Sequence, residues 1–418
     1  MIKEERILLR NAGKINPMSI EDYIGAGGYR GLEKALGMEP VEVIDELLEA
    51  GLRGRGGAGF STGMKQRFTS ESCLRCPQRY VVVNADEGEP GTYKDRVIME
   101  QDPHLYLEGT IIAAHAIRAS KGYIYIRGEY QESIDKTRKA VNEAYKKGFL
   151  GKNILGSGFD FDIGIKLGAG SYLCGEELTM LESLEGKRGT PRIKPPFPAE
   201  KGVFNMPTLV NNVETLANAT RILEKGREWY RETGTDTSPG TKIFTISGQV
   251  NKPGYYELPL GVSLRQLIEL AGGMRGNMQF KAALLGGAAG TFVDASMLDE
   301  EMSYDNLRDK GATLGSGAVI VFSREDSITN TLVNCLRFFK HESCGKCIPC
   351  RAGTAHLEIS ARKLKSTAND KQKLLASMIR ESELMAATSL CPLGQSPVLP
   401  LKSAARYFKD ELYGILTE

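Results

Sequence analysis

The sequence predicts an α/β nucleotide-binding region, then a small α+β region, then a bundle of helices. Strand and helix patterns alternate from Tyr80 to about Gly186, which is typical of a mainly parallel sheet covered by helices. The pattern changes near Thr233 to several short strands, and from Asp326 onward it is helical. The three predicted domains therefore cover residues 1–235, 236–325 and 326–418.

In the first domain, short apolar runs predict strands that are buried on both faces. The predicted strands are YVVVN (80–84), GYIYIRG (122–128) and FDIGIKL (161–167). The predicted helices are 105–119, the stretch from 129 to about 147, and 176–184. Before the first strand, PVEVIDELLEAGL spaces its apolar residues as a helix does, with Pro40 at its start.

The second domain begins after GTDTSPGT (234–241), a linker-like run of turn formers. Five short strands and one helix, SLRQLIELAGG (263–273), predict a fold of the β-grasp type. In the third domain, Ile328, Leu332, Leu336 and Phe339 share one helical face. Three further helices are predicted at about 353–366, 370–385 and 398–415, which together suggest a four-helix bundle.

The stretch RGRGGAGFSTG formally fits the dinucleotide pattern G-x-G-x-x-G. The matching glycines are Gly54, Gly56 and Gly59. That fingerprint normally follows a strand, whereas a helix pattern precedes it here, so the usual dinucleotide interpretation is weak. Glycines still allow the backbone to approach a ligand, and nearby cations suit a phosphate. Those cations are Arg53, Arg55 and Lys65. The alternative is a flexible connector, which these cations and Phe60 disfavour.

Other candidate segments lie at predicted strand ends, where α/β folds bind ligands. NADEGEPGTYKD (84–95) carries several acids after the first strand, and a turn is the alternative. LGAGSYLCGEE (167–177) follows a strand and opens a helix, where Glu176 and Glu177 could also serve the helix dipole alone. PRIKPPFP (191–198) is a stiff segment bearing Lys194 and Phe197, and NNVET (211–215) suits a helix start.

The cysteine spacing is the strongest signal. Cys344, Cys347 and Cys350 have C-x2-C-x2-C spacing, and Cys391 follows before a proline. This division of three and one favours a [4Fe–4S] cluster over a structural zinc site, which more often uses two C-x2-C pairs. Cys73 and Cys76 form an isolated CxxC that we interpret as two free thiols, and Cys174 and Cys335 as buried apolar residues.

Overall charge and hydropathy exclude some classes of protein. The formal net charge of +2 gives no excess of cations for nucleic acid. No apolar run is long enough to span a bilayer, and the N-terminus lacks the apolar region of a secretory signal. We therefore expect a cytoplasmic protein without direct membrane insertion. Only four histidines are present, which disfavours a histidine-based catalytic or metal centre.

These motifs in this order resemble the NADH-binding flavoprotein of respiratory complex I, the NADH-quinone oxidoreductase-F or 51 kDa family. RGRGGAGF, NADEGEPGTYKDR, GAGSYLCGEE, KPPFPA, NNVET and ESCGKCIPCR…CPLG carry the resemblance over nearly the whole chain. The resemblance implies a modified Rossmann-like domain that holds FMN and NADH. It also implies a ubiquitin-like β-grasp module of the soluble-ligand-binding kind and a helical domain that bears the cluster.

The resemblance also implies site residues. The shared nucleotide site would be lined by Gly54, Gly56, Gly57 and Lys65. FMN would be held by Asn84, Asp86, Glu87, Tyr172, Gly175, Glu176, Asn211, Asn212 and Thr215. NADH would be stacked by Phe60, Phe68 and Phe197, with polar contacts from Glu89, Glu177 and Lys194. The residues predicted at the reacting groups are Lys65, Glu87 and Glu177, and the cluster ligands are the four cysteines named above.

The implied activity is NADH:quinone oxidoreductase, with hydride transfer from NADH to FMN and single electrons passing to the [4Fe–4S] cluster. The implied partners are a small [2Fe–2S] protein, of the NADH-quinone oxidoreductase-E type, and a larger iron–sulfur protein. Together they would hold the chain at the cytoplasmic face of the inner membrane. A diaphorase subunit of a soluble NAD-linked hydrogenase or formate dehydrogenase is the alternative within the enzymes. A zinc-stabilised, non-enzymatic scaffold is the alternative outside them.

Overall fold

The structure is a computed structural model that describes residues 2–73, 76–365 and 370–414. It contains two β-sheets, each associated with its own helices, and a helical C-terminal region. Two helices were predicted to end at residue 366 and at residue 415, and both ends lie outside the described residues.

The first region combines a parallel sheet with many helices. Its helices are α1 (Ile20–Gly25), α2 (Arg30–Leu36), α3 (Pro40–Glu49), α4 (Thr62–Glu71), α5 (Lys94–Gln101), α6 (Pro103–Ala116), α7 (Gln131–Lys146), α8 (Glu177–Leu184), α9 (Pro198–Lys201), α10 (Val213–Lys225) and α11 (Arg227–Arg231). Its strands are β1 (Tyr80–Ala85), β2 (Lys121–Ile126), β3 (Asp162–Leu167) and β4 (Thr208–Asn212). The three predicted strands are confirmed, and β4 was missed.

All four strands are parallel, in the order β3-β2-β1-β4. The middle of β1 is fully buried on both faces, as its apolar run predicts. Val81 and Val83 join the large core that includes α6 and α10, whereas Val82 packs with α8 on the opposite face. The carboxyl ends of β1 and β4 therefore lie side by side, between two layers of helices.

Capping side chains determine where the helices next to these strand ends begin. Ser61 accepts the Met64 N–H at the start of α4. Asn212 accepts the Glu214 N–H at the start of α10, which confirms the helix start expected at NNVET. Glu176 accepts the Thr179 N–H at the start of α8.

The second sheet has five strands in the order β6-β5-β9-β7-β8, with β5 and β9 parallel and the other pairs antiparallel. Its elements are β5 (Thr241–Gly248), β6 (Gly254–Pro259), α12 (Leu264–Leu270), β7 (Phe280–Leu285), β8 (Thr291–Val293), α13 (Tyr304–Asp309) and β9 (Ala318–Ser323). Helix α12 packs on the sheet, as the β-grasp prediction requires. The prediction of a single helix is wrong, because α13 also forms; its six residues are too short for a clear periodic signal.

The C-terminal region is a bundle with more helices than predicted. Its helices are α14 (Ile328–Glu342), α15 (Ile348–Leu364), α16 (Lys371–Thr388), α17 (Pro392–Gln395), α18 (Val398–Tyr407) and α19 (Lys409–Tyr413). The predicted last helix is divided at Phe408, whose φ of −132° and ψ of +29° lie outside the helical region. None of the described helices combines the length and the apolar character needed to cross a membrane.

Short 3-10 turns complete the described structure: Leu9–Asn11, Ile154–Gly156, Tyr172–Gly175, Val203–Asn205, Arg275–Asn277 and Ala295–Met297.

Candidate functional site

The glycine-rich segment after α3 is a tight hairpin-like loop. Arg53 and Ser61 form an isolated antiparallel bridge, and Gly54 N–H donates to the Phe60 carbonyl at 2.8 Å. Gly57 has a φ of +146°, and a Cβ built on it would have no neighbour within 4 Å. The tip of the loop thus presents open backbone next to the β4–α10 junction, where Gly56 lies against Asn212. This arrangement supports a close approach of backbone to a ligand.

Two of the three cations expected at this loop are engaged by other groups of the protein. Arg55 is wholly buried, and its guanidinium donates to the carbonyls of Arg53, Pro239 and Thr241 and to the Tyr230 hydroxyl. Arg53 pairs with Asp305 of α13 at 2.6 Å. The expectation that Arg55 serves a phosphate is therefore wrong, because carbonyls and a hydroxyl occupy its donors. For Arg53 that role stays a prediction.

The third cation, Lys65, belongs to a group of ionised side chains. Its ammonium donates to Glu177 Oε2 at 3.0 Å and to the Val210 carbonyl at 3.1 Å. Lys194 reaches the other Glu177 oxygen at 2.8 Å and Glu176 at 2.9 Å. Burial raises the pKa of Glu177, but the charges of Lys65 and Lys194 outweigh burial and lower this pKa to about 2. The predicted residues on α4, α8 and the proline segment thus form one charged group.

The loop after β1 brings four predicted residues to the strand ends. Asn84 donates to the Gly175 carbonyl at 2.8 Å, which joins this loop to the segment before α8. Glu87 accepts the N–H groups of Asp95 at 2.9 Å and Arg96 at 3.1 Å. Both Glu87 oxygens therefore support the start of α5, and a role for this side chain at the reacting groups stays a prediction.

Glu89 is held by two separate parts of the fold. The Tyr172 hydroxyl donates to its Oε2 at 2.6 Å, and the Ala289 N–H, from the turn between β7 and β8, donates to its Oε1 at 3.1 Å. Burial raises the pKa of Glu89 to about 6, against the opposing effect of these hydrogen bonds. Sequence reasoning missed Ala289, and the run GGAAG (286–290) is the one signal that could have indicated it.

Beneath the strand ends lies a buried network of charges that the sequence did not reveal. Lys94 contacts Asp95 at 2.7 Å and Glu214 at 3.0 Å, and Lys242 of β5 contacts Glu214 at 2.6 Å. Asn212 donates to Asp95 at 2.6 Å, so this predicted FMN residue is positioned by the network. The adjacent opposite charges in KD (94–95) were the one local signal of this network. Their burial could not be predicted, because it depends on contacts with residues distant in sequence.

The same region suits a flavin nucleotide. Asp86 Oδ2 and Asn211 Oδ1 are buried and have no hydrogen-bond partner among the described residues. Burial raises the pKa of Asp86 to about 7. Buried acceptor oxygens of this kind require donors, and a flavin nucleotide offers them in its ring N–H and its ribityl hydroxyl groups. Thr215, by contrast, already accepts the Arg55 N–H at 2.8 Å.

The three phenylalanines expected at NADH are all exposed. Phe60, Phe68 and Phe197 have 54%, 48% and 52% of their surface accessible. Helix α4, which carries Phe68, packs against α9, whose N-cap is Phe197, and Phe60 lies just before α4. Exposed aromatic side chains on neighbouring elements are suitable for stacking on a base.

The four predicted cluster cysteines lie in one place. Cys344, Cys347, Cys350 and Cys391 share an apolar group with Leu173, Phe339 and Leu393. Cys347 is the N-cap of α15 and Cys391 the N-cap of α17, so both cysteines lie at helix starts. Burial raises the pKa of Cys391 to about 12. A thiol in this surrounding becomes a thiolate when metal charge compensates it.

The two metal alternatives place different demands on the arrangement of the cysteines. Among the described residues, no three His, Cys, Asp or Glu side chains converge so that they could hold one metal ion. A zinc ion needs its ligands to meet about 2.3 Å from a single point. The ligands of a cubane sit at separate corners of a larger body.

Tyr172 joins the nucleotide side to the cysteine side. Its N–H donates to Glu342 at 3.0 Å, and its ring lies 4.9 Å from that of Phe338, both on α14. Its hydroxyl holds Glu89, and its ring packs on the apolar group that contains the cysteines. A single side chain thus contacts both candidate sites.

Cys73 and Cys76 form a disulfide, with their Cα atoms 5.4 Å apart. The interpretation as two free thiols is therefore wrong. The Cys76 N–H donates to the Cys73 carbonyl at 3.4 Å, and the distance between the two Cα atoms is within the usual range for a disulfide. Cys174 and Cys335 are buried free cysteines, as expected.

Comparison with known proteins agrees with this geometry. Residues 47–221 match the family described as the Nuo51 FMN-binding domain, and residues 330–414 match the NADH-ubiquinone oxidoreductase-F iron–sulfur binding region. Residues 243–287 match the SLBB domain. The second NADH-quinone oxidoreductase-F protein of Rhizobium meliloti is 43% identical over 420 residues, 99% of this chain and 98% of that protein. This chain belongs to the NADH-quinone oxidoreductase-F family.

Other relatives of this oxidoreductase-F chain extend the comparison. The NADH-quinone oxidoreductase-F protein of Aquifex aeolicus is 51% identical over 83% of the chain and 80% of that protein. The NADP-reducing hydrogenase subunit HndC of Solidesulfovibrio fructosivorans is 44% identical over 98% of the chain and 83% of that protein. One chain of a crystal structure of an NAD+-reducing [NiFe]-hydrogenase superposes with a TM-score of 0.84 at 33% identity, over 100% of this chain and 69% of the matched chain.

Proposed function

We propose that this chain is the NADH-oxidising subunit of a respiratory NADH:quinone oxidoreductase, a translocase complex. The observation that carries the proposal is Tyr172, which holds Glu89 on the nucleotide side and packs with the four cysteines on the other. When bound, FMN accepts electrons as a pair from NADH and releases them singly, which the cluster requires. The protein has to bind NADH, FMN and the cluster, align them, and exclude water from them. This task needs no catalytic histidine.

Specific residues would hold each group. The proposed FMN residues are Gly54, Gly56, Gly57, Lys65, Asn84, Asp86, Glu87, Tyr172, Gly175, Glu176, Asn211, Asn212 and Thr215. The proposed NADH residues are Phe60, Phe68, Glu89, Glu177, Lys194 and Phe197. The proposed ligands of the [4Fe–4S] cluster are Cys344, Cys347, Cys350 and Cys391. The convergence of α4, α8, the β1 loop and the proline segment supports these assignments.

The proposed assembly is a heteromeric complex. Its members would include a small [2Fe–2S] protein of the NADH-quinone oxidoreductase-E type and a larger iron–sulfur protein, which hold this chain at the cytoplasmic face of the inner membrane. A soluble hydrogenase is the second candidate, because HndC and the NAD+-reducing hydrogenase are also similar over nearly all of this chain. Co-purification decides between a quinone-reducing complex and a hydrogenase partner.

The test is an anaerobic preparation reconstituted with FMN, iron and sulfide. We expect a flavin absorption band that NADH bleaches, and an EPR signal from a reduced cluster in the same sample. Metal analysis provides the control, because iron with matching sulfide excludes the zinc scaffold. A colourless protein that binds zinc and does not react with NADH would overturn the proposal.

Replacing Phe197 by alanine is expected to raise the KM for NADH about tenfold while kcat changes little, because stacking on a base contributes roughly 1–3 kcal/mol. Phe204→Ala is the matched control: Phe204 is 49% exposed, and its ring centroid lies 6.0 Å from that of Tyr80, which is at the amino end of β1. Steady-state kinetics with NADH and ferricyanide measure both constants. Equal KM values for the two variants would argue against stacking by Phe197.

A further inference from the structure

The turn between β7 and β8 of the β-grasp sheet reaches the loop that follows β1. Its Ala289 N–H donates to Glu89 Oε1 at 3.1 Å, while Tyr172 donates to the other oxygen. The two oxygens of this carboxylate are thus held from opposite sides by different parts of the fold. A carboxylate with one donor on each oxygen is fixed in orientation as well as position.

The approach of this turn depends on Gly287. A Cβ at Gly287 would lie far inside normal contact distance of both Cγ and Oε1 of Glu89. Gly287 also has a φ of +82°, which favours glycine. Any side chain at this position would displace the Glu89 side chain.

The β-grasp sheet also holds the same loop at two further points. Thr245 of β5 donates to the Gly91 carbonyl at 2.7 Å, and the Thr92 and Ser316 hydroxyls are 2.5 Å apart. These contacts come one and two residues after Pro90, close to Glu89 in sequence. The loop that carries Glu89 therefore begins at β1 of the first sheet and also packs against the second sheet.

We propose that the turn Gly287–Ala289 is a positioning element of the nucleotide site, and that it holds the Glu89 carboxylate in the orientation that accepts hydroxyl donors of the dinucleotide. The β-grasp region then acts in NADH binding, although it contributes no side chain to the predicted site. This inference rests on the proposed function of the chain as the NADH-oxidising subunit. Ala289 also packs beside the cluster cysteines, so the turn lies between the two candidate sites.

The test compares Gly287→Ala with Gly286→Ala in the flavin- and cluster-loaded protein. Gly286 has a similar φ of +88°, but a Cβ there would face Gly315 and Thr313 and not Glu89. We expect Gly287→Ala to raise the KM for NADH about tenfold with kcat nearly kept, since a hydrogen bond to a charged group is disturbed. Gly286→Ala should change KM by less than about twofold, with a similar loss of thermal stability.

A double-mutant cycle with Glu89→Ala separates positioning from general damage. Because Glu89→Ala removes the side chain that the new methyl group would meet, Gly287→Ala should add no further increase in KM in that background. Additive effects, or equal KM values in the two glycine variants, would overturn the inference. The Gly287→Ala protein alone could fail to accumulate. In that case, recovery of flavin-loaded protein from the double variant supports the inference, and absence of flavin-loaded protein from both variants contradicts it.

The failure of this inference is distinguishable from the failure of the proposed function. A wild-type protein whose flavin NADH does not reduce contradicts the proposed function itself. A wild-type protein that oxidises NADH, with glycine variants that behave alike, contradicts only the role of the turn.

Discussion

Replacing Cys391 by alanine is expected to remove the EPR signal of the reduced cluster while FMN remains bound and NADH still reduces it. Cys391 lies apart in sequence from the other three cysteines, and its burial leaves the thiol with a pKa of about 12 in the absence of metal charge. Removing this ligand leaves three thiolates for a [4Fe–4S] cluster, which normally has four cysteine ligands. EPR of the NADH-reduced protein and the flavin absorbance of the same sample provide the measurement.

The matched control is Cys335→Ala. Cys335 is also a buried cysteine, on α14, but it belongs to the core of the bundle and not to the apolar group around the cluster ligands. Its replacement should leave the EPR signal in place and cost some stability through lost packing. An unchanged signal in Cys391→Ala, or loss of the signal in both variants, would refute the ligand assignment.

Much of the scaffold was predictable because the apolar pattern of each strand or helix indicates which of its faces is buried. The run YVVVN is apolar throughout its first four residues, and β1 is indeed buried on both faces. The apolar residues of α14 recur on one face, and that face lies in the bundle core. Strand β4 was missed because its sequence TLVNN is short and its last two residues overlap the helix-start pattern NNVET of α10.

The candidate site was predictable only in part, because several of its contacts join residues far apart in sequence. Resemblance to a family indicated Lys65, Glu177 and Lys194, and the structure brings these three together. Nothing local distinguishes Arg55 from Lys65, yet the first is buried under backbone carbonyls and the second faces the charged group. The donor Ala289 lies 200 residues after Glu89, where no periodicity connects the two.

Replacing Lys65 by methionine is expected to lower kcat/KM for NADH roughly a hundredfold, if Lys65 acts at the reacting groups as proposed, because the loss of one electrostatic donor there commonly has such an effect. Hydride transfer delivers negative charge, and a cation at 4 Å contributes about 4 kcal/mol at an effective dielectric constant of 20, less in a partly wet site. Lys65 is part-buried and also holds the Val210 carbonyl at 3.1 Å, so it is fixed at the strand ends. Steady-state kinetics with an artificial acceptor measure the loss.

The same variant should change the pH dependence of NADH oxidation. In the wild type the pKa of Glu177 is lowered from 4.5 to about 2, so its carboxylate stays ionised until the pH falls through that value. Without Lys65, burial is opposed by Lys194 alone, the pKa of Glu177 rises, and kcat/KM should decline toward acid pH. Arg67→Met, on the same helix but at a side chain that pairs with Asp45 of α3, should show neither change. A Lys65→Met profile parallel to that of the wild type would mean that Lys65 does not control the ionisation of Glu177.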